Sequence, residues 1–277
     1  MRGRLYGHGH MGHIHARRLS ERDDVTFDIV DPPKGQPAPS GPLPDFAIIA
    51  SPTTTHAAVA LPLLRAGVAC LIEKPLAATL AEATALAAFP RLSVGHIERF
   101  NPTLAPVRAA AGRPRYLQAE RLSPFQRRGT DVDVIADLMI HDIDLALWLL
   151  GGPVREVRAL GVGVMTGGAD IVNARIELDG GVATLTASRV SHTPSRSLRL
   201  VEEGTYWSAD LRARTLHRVR WGEQQLAPEP VPVPPADAIV AQLDAFLSAV
   251  RGEEDYPCPG SEALAALSLA DQIRRAL

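Results

Sequence analysis

Cysteine is nearly absent from this sequence. Cys70 and Cys258 are the two in 277 residues, too few for a disulfide framework or a four-cysteine zinc site. Neither sign of charge dominates: Lys and Arg number 29 and Asp and Glu 31, for a formal net charge of -2. No basic excess gives the footprint of a nucleic-acid binder, and there is no acidic tail. Long hydrophobic runs are missing too; none approaches the ~20 residues that span a bilayer. The opening residues, Met1 to Arg4 and then a stretch of Gly and His, lack the apolar core of a secretory leader. These absences lead us to expect a soluble cytoplasmic protein that engages neither nucleic acid nor membrane.

What is present is globular. Hydrophobic residues make up 46% of the chain and charged residues 22%, enough apolar material for a core. At roughly 100–200 residues per domain, the length allows two domains. The first part alternates strand and helix. Strands are expected at 4–6, 25–30, 47–50, 68–72 and 92–95, and helices at 13–22, 57–66 and 79–88. Thr79 and Glu82 have the spacing of a capping box. Residues 32–44 hold six prolines, which leaves no room for a crossover helix there. This order implies a Rossmann-type parallel sheet covered by helices.

From about residue 98 the rhythm changes. One strongly apolar helix is expected over 133–150, stopped by Gly151 and Gly152. Six strands follow, at 155–164, 170–178, 182–190, 197–202, 205–210 and 215–220, with a hairpin signal at Asp179-Gly180-Gly181. Their polar–apolar alternation gives an open, mainly antiparallel sheet with one apolar face. A proline-rich link at 228–235 leads to helices at 238–251 and 261–277. The expected organisation is an α/β domain over 1–97 and an α+β domain over 98–277, with the terminal helices free to pack back on the first. The apolar sheet face is a surface to cover, which suggests a homodimer or homotetramer.

Gly7-His8-Gly9-His10-Met11-Gly12 matches G-x-G-x-x-G between a strand and a helix. The first glycine permits a tight turn, the second lets backbone approach a pyrophosphate, and the third allows close helix–strand packing. Asp31 ends the next strand, placed to accept hydrogen bonds from a ribose diol. A carboxylate there repels a 2′-phosphate, so NAD is expected rather than NADP. His8, His10, His13 and His15 invite a metal reading, but no cysteine or carboxylate lies among them and a dinucleotide needs the space; no metal is expected. Ser51, Pro52, Thr53 and His56 follow the third strand, and Glu73 and Lys74 the fourth, where open α/β sheets hold ligands. Asp137 and His141 stand four apart on the apolar helix and so share one face. That suits a general base with an adjacent acid; a buried histidine paired locally is the alternative.

In that order, the glycine fingerprint with His15-Ala16-Arg17, the segment from Ser51 to His56, the triplet Glu73-Lys74-Pro75 and the run from Asp137 to Asp142 resemble the Gfo/Idh/MocA oxidoreductases over essentially the whole chain. The resemblance implies a nicotinamide cofactor and a sugar or cyclitol substrate. It implies Lys74, Asp137 and His141 as catalytic residues. A narrower resemblance, to the UDP-N-acetylglucosamine 3-dehydrogenase branch, lies in the segment from Val94 to Pro102, in Asp170 to Arg175 and in Thr186 to Arg189. It implies a 3-keto nucleotide sugar as product, passed to a partner aminotransferase. Arg99, Asn101 and Arg189 then become candidate substrate donors beside Lys74, Asp137 and His141, because a diphosphate wants guanidinium and amide groups. A dehydrogenase of a free sugar or inositol, and a non-catalytic dinucleotide-binding protein, are the competing readings. The chain is shorter than is usual for the family, chiefly through the proline-rich crossover.

Overall fold

Short apolar runs build the first sheet. β1 (Arg2–Tyr6), β2 (Thr26–Val30), β3 (Phe46–Ile49), β4 (Ala69–Glu73) and β5 (Leu92–Gly95) lie in the order β2-β1-β3-β4-β5, all parallel. β3 and β4 are buried at every position, as expected of parallel strands covered on both faces. Helices α1 (His10–Ser20), α2 (His56–Arg65) and α3 (Leu80–Ala87) connect them. Thr79 and Glu82 close the capping box ahead of α3. Between β2 and β3 the described residues make a 3-10 turn, Pro32–Lys34, and an Asp31–Gln36 bridge, with no helix among them, in line with the prolines. Strand order reverses between β1 and β3, and ligands bind at the carboxyl ends of strands flanking such a switch point.

The structure is a computed structural model, and it describes residues 1–37, 40–125, 132–222 and 227–277. The chain divides into two compact units: Met1–Ile97 with Ala238–Leu267, and Glu98–Asp237 with Ser268–Leu277. In the first unit, α6 (Ala238–Arg251) brings Phe246 edge-on to Phe46, with ring centroids 5.8 Å apart. The outer edge of β5 is closed by the chain itself. Val94 N–H donates to the Cys258 carbonyl, and the Tyr256 hydroxyl donates to the Val94 carbonyl.

The second unit contains α4 (Leu104–Ala110), β6 (Tyr116–Leu122), α5 (Ile140–Leu150) and strands β7 (Val154–Val162), β8 (Ile171–Leu178), β9 (Gly181–Ser188), β10 (Ser195–Glu202), β11 (Thr205–Asp210), β12 (Thr215–Arg220) and β13 (Glu229–Pro230). α7 (Gly260–Arg275) ends the chain. The sheet order is β13-β12-β11-β10-β6-β9-β8-β7.

Three expectations are corrected here. Among the described residues the sheet has eight strands, not six, and the unforeseen β6 lies at its middle, parallel to β9 and antiparallel to β10. β6 turns Leu117, Ala119 and Arg121 inward, so an arginine interrupts the apolar half of its alternation. The expected helix over 133–150 is a π-helical turn, Ile135–Met139, running into α5. That stretch is apolar on nearly every side, so its periodicity does not register an extra residue per turn. Finally, the apolar sheet face is covered within the chain, by α5 against β6 and β9. The opposite face is mixed: one row crosses it as Arg175, Thr184, Gln118, Arg199 and Ser208. The neighbouring row is Val182, Tyr116, Val201, Tyr206 and Val219, all half-buried.

Candidate functional site

At the carboxyl end of β1 the chain turns through Gly7 at φ 88°, a backbone region that favours glycine. A Cβ on Gly7 would come 2.5 Å from the Ser51 backbone, and one on Gly12 would come 2.1 Å from the Gly7 carbonyl oxygen. Both glycines are therefore demanded by packing. Gly9 differs: no atom lies within 4 Å of its Cβ position. It leaves an open approach to the first amides of α1, where an anion is favoured by the helix N-terminus. Asp31 stands beside this loop, with Oδ2 accepting the His8 N–H at 2.8 Å. The loop and acid together fit the pyrophosphate and ribose of a dinucleotide.

Lys34 adds a feature that spacing alone did not reveal. Its ammonium lies 3.6 Å from Asp31 Oδ2 and donates to the His8 carbonyl, clasping the glycine loop to the turn after β2. The loop histidines take separate paths. His8 and His13 stack with centroids 3.8 Å apart. Burial pushes the His8 ring below its ordinary pKa, as do His13 and Lys34, against the pull of Asp31. His15 turns inward.

Two of the expected cofactor contacts, Glu73 and His56, have partners within the fold. Glu73 Oε1 lies 2.7 Å from Nε2 of the fully buried His15. His15 Nδ1 has no hydrogen-bond partner among the described residues. This bond ties α1 to the end of β4. His56 is buried as well. Its Nδ1 lies 3.1 Å from the Pro75 carbonyl oxygen and its Nε2 3.0 Å from that of Ser51. Burial lowers its pKa, opposed by the Ser51, Leu76 and Pro75 carbonyls and the Glu73 charge. His56 thus stitches the loop after β3 to the loop after β4. Ser51 and Thr55 hydroxyls are 2.7 Å apart in the same loop, next to Pro52 and Thr53. Lys74 follows β4 directly and is half-exposed.

In the second unit, Asp137 sits inside the π turn and His141 in the first turn of α5, both half-buried. Arg99 and Asn101, expected to reach a diphosphate, have partners within the fold. Arg99 forms a two-point pair with Asp144, at 2.8 and 2.6 Å. Asn101 Nδ2 lies 3.0 Å from both Glu98 Oε2 and the Leu211 carbonyl oxygen. Both residues are buried. Arg189 Nη2 donates to the Val132 carbonyl at 2.8 Å, while its buried Nε has no acceptor among the described residues.

Comparison with known proteins agrees with this geometry. Residues 16–91 match the oxidoreductase family with an NAD-binding Rossmann fold, and residues 104–206 match the GFO/IDH/MocA C-terminal domain. The chain is 36% identical, over its whole length and 97% of the other, to UDP-N-acetylglucosamine 3-dehydrogenase of Acidithiobacillus ferrooxidans. A solved structure of that protein superposes with a TM-score of 0.91, covering 100% of this chain and 97% of that one. Inositol 2-dehydrogenase of Acidothermus cellulolyticus is 30% identical over 56% of this chain and 55% of its own. A levoglucosan dehydrogenase in complex with NADH shares the fold at 18% identity, with a TM-score of 0.83 over 100% of this chain and 96% of that one.

Proposed function

The chain belongs to the Gfo/Idh/MocA family of oxidoreductases, with its NAD-binding Rossmann fold, and on that premise we propose that it oxidises the 3-hydroxyl of UDP-N-acetylglucosamine to the ketone. The observation that carries the substrate is the 36% identity over the full chain to an enzyme named for that reaction. The inositol enzyme matches over little more than half.

The nicotinamide, when bound, supplies the hydride acceptor for carbon 3. The chain's own residues manage the proton and the charge. His141 accepts the proton from the 3-hydroxyl oxygen as general base and later releases it to solvent. Asp137, one turn earlier, orients the imidazole. Lys74 donates to the same oxygen as alkoxide character develops. Arg189 is the one expected diphosphate donor that keeps a buried N–H with no acceptor among the described residues, and we assign it to the substrate. The ketone product is the class of carbonyl that a pyridoxal-phosphate aminotransferase converts to an amine, which would place the reaction in diamino-sugar synthesis for lipid A or surface polysaccharide. No helix among the described residues is long and apolar enough to cross a membrane, and nucleotide substrate and cofactor both favour a cytoplasmic site of action.

The test is absorbance of reduced nicotinamide with UDP-N-acetylglucosamine, free N-acetylglucosamine, glucose and inositol. Turnover is expected with the nucleotide sugar alone. Turnover with glucose or inositol and none with the nucleotide sugar would overturn the substrate. Positioned acid–base groups contribute about 10²–10⁴-fold, so His141→Ala and Lys74→Ala should lower turnover by that order while NADH affinity stays within about twofold. Wild-type rates in His141→Ala would remove it as the base.

A further inference from the structure

Two arginine forks grip α5 on either side of His141. Arg121, from β6, holds Asp142 through Nε and Nη2, at 3.1 and 2.8 Å. Arg99, from the 3-10 turn Ile97–Phe100, holds Asp144 at 2.8 and 2.6 Å and lies over the Trp148 ring at 5.6 Å. Arg121 also donates through Nη1 to Glu98 at 2.8 Å, which joins the 3-10 turn to β6. All five ionic groups are buried. Burial and the neighbouring Glu98 push the Asp142 carboxyl up against the pull of Arg121; Glu98 is held below its ordinary pKa despite burial by Arg121, Asn101 and Arg196.

Such a frame is a poor way to gain stability. Apolar side chains of similar volume often serve as well or better, and the best-attested use of buried ionic groups is to fix a register. What needs fixing here is the rotation of α5 about its axis. The helix follows a π turn, so its angular setting is not carried forward by an unbroken α-helical ladder. Around an α-helix Asp142 lies about 100° to one side of His141 and Asp144 about 60° to the other. Forks at both positions, anchored in different elements, resist rotation in either sense. A rotation of about 20° at a radius of about 5 Å would carry the His141 side chain about 2 Å, and a misplacement of about 1 Å can cost roughly 10²-fold in rate.

We propose that Arg121 and Arg99 are positioning residues for His141, acting through Asp142 and Asp144 to set the rotation of α5. The proposal rests on His141 being the base of the reaction given above. It makes a distinct claim about Arg99, whose residue type alone suggested diphosphate binding, and about Arg121, which no motif singled out.

The experiment compares wild type with Arg121→Lys, which keeps the charge and loses the fork, and with Arg99→Met/Asp144→Leu, which replaces an ion pair by apolar side chains. Asp144→Asn, which keeps the side-chain shape, serves if either fails to fold. Three readouts are taken. Thermal melting reports the fold. Turnover is measured with whichever sugar the wild type oxidises, alongside KM and NADH affinity. The ring signals of His141 are followed in a long-range ¹⁵N correlation spectrum, assigned by their loss in His141→Gln. The expected result is a kcat at least about tenfold lower in folded variants, KM and NADH affinity within about twofold, and displaced or broadened His141 signals. A folded variant with wild-type kcat and unmoved His141 signals overturns the proposal. So does a loss of kcat that merely follows the loss of folded protein. Turnover of another sugar and none of UDP-N-acetylglucosamine would sink the substrate reading, and a lowered kcat on that sugar with displaced His141 signals would leave this one standing.

Discussion

A charged residue type in a sequence says what a side chain can do, and burial decides what it does. Asp170 is fully buried and accepts the N–H groups of Val164, Met165 and Thr166, at 2.8, 2.6 and 2.9 Å, and the Thr166 hydroxyl at 2.7 Å. Burial pushes its carboxyl up, but these donors win and hold it well below the ordinary 3.8. A depressed carboxyl contributes stability that is present above its unfolded pKa and lost as pH falls through the folded one. Asp170→Asn should therefore lower unfolding free energy by about 2 kcal/mol at neutral pH. Its deficit should shrink as pH is taken below 3.8. Urea titrations of both proteins at pH 7 and pH 3 check this; an undiminished gap at pH 3 would contradict it. The same contrast explains which site residues the sequence made legible. The places of Gly7, Gly12 and Asp31 in the glycine loop and beside it were legible because backbone geometry and strand position dictate them. His56, Glu73, Arg99 and Asn101 stood in recognisable motifs, and motif spacing does not tell which neighbours a side chain meets inside the fold. The inward turn of His15 toward Glu73 left a faint trace at most, a histidine on the helical face that carries Gly12 and Leu19.

Among the elements, the glycine loop yields the sharpest prediction. Gly9→Ala meets no protein atom within 4 Å, whereas Gly12→Ala drives a Cβ to 2.1 Å from the Gly7 carbonyl oxygen. Gly9→Ala should melt within a few degrees of wild type yet bind NADH roughly tenfold or more weakly, because its methyl occupies the approach to the α1 amides. Gly12→Ala should lose melting temperature and binding together. Differential scanning fluorimetry and NADH fluorescence titration separate the two, and equal behaviour of the variants would refute the distinction. Elements with a local cause were legible: the buried runs of β3 and β4, the capping box before α3, the proline crossover and the Asp179–Gly181 hairpin. β6 was not, because Arg121 occupies an inward position that alternation reserves for apolar residues. The π turn was not, because hydrophobicity without periodicity carries no count of residues per turn.

At the scale of the whole molecule, the mixed face of the second sheet, opposite α5, is a surface on which another copy could pack. We propose a homodimer or homotetramer formed through it. The half-buried row of Val182, Tyr116, Val201, Tyr206 and Val219 supplies apolar area, and Arg175 and Arg199 flank it. An isologous contact would set this row against its own copy. Multi-angle light scattering at micromolar concentration should give at least twice the chain's mass. Val201→Arg/Tyr206→Arg should reduce it to the monomer with both units folded; a wild-type monomer would end the proposal.

The closure of β5 by Tyr256 and Cys258 sets an order of events during synthesis. The first five strands can pair as soon as they leave the ribosome. The segment that seals their outer edge emerges about 160 residues later, roughly 10–30 s at ordinary translation rates. Throughout that interval the nascent sheet presents an unpaired parallel strand, the kind of edge that recruits other chains. Slow translation of the second unit, or a truncated message, would thus expose a nearly finished nucleotide-binding sheet to misassembly on the polysome.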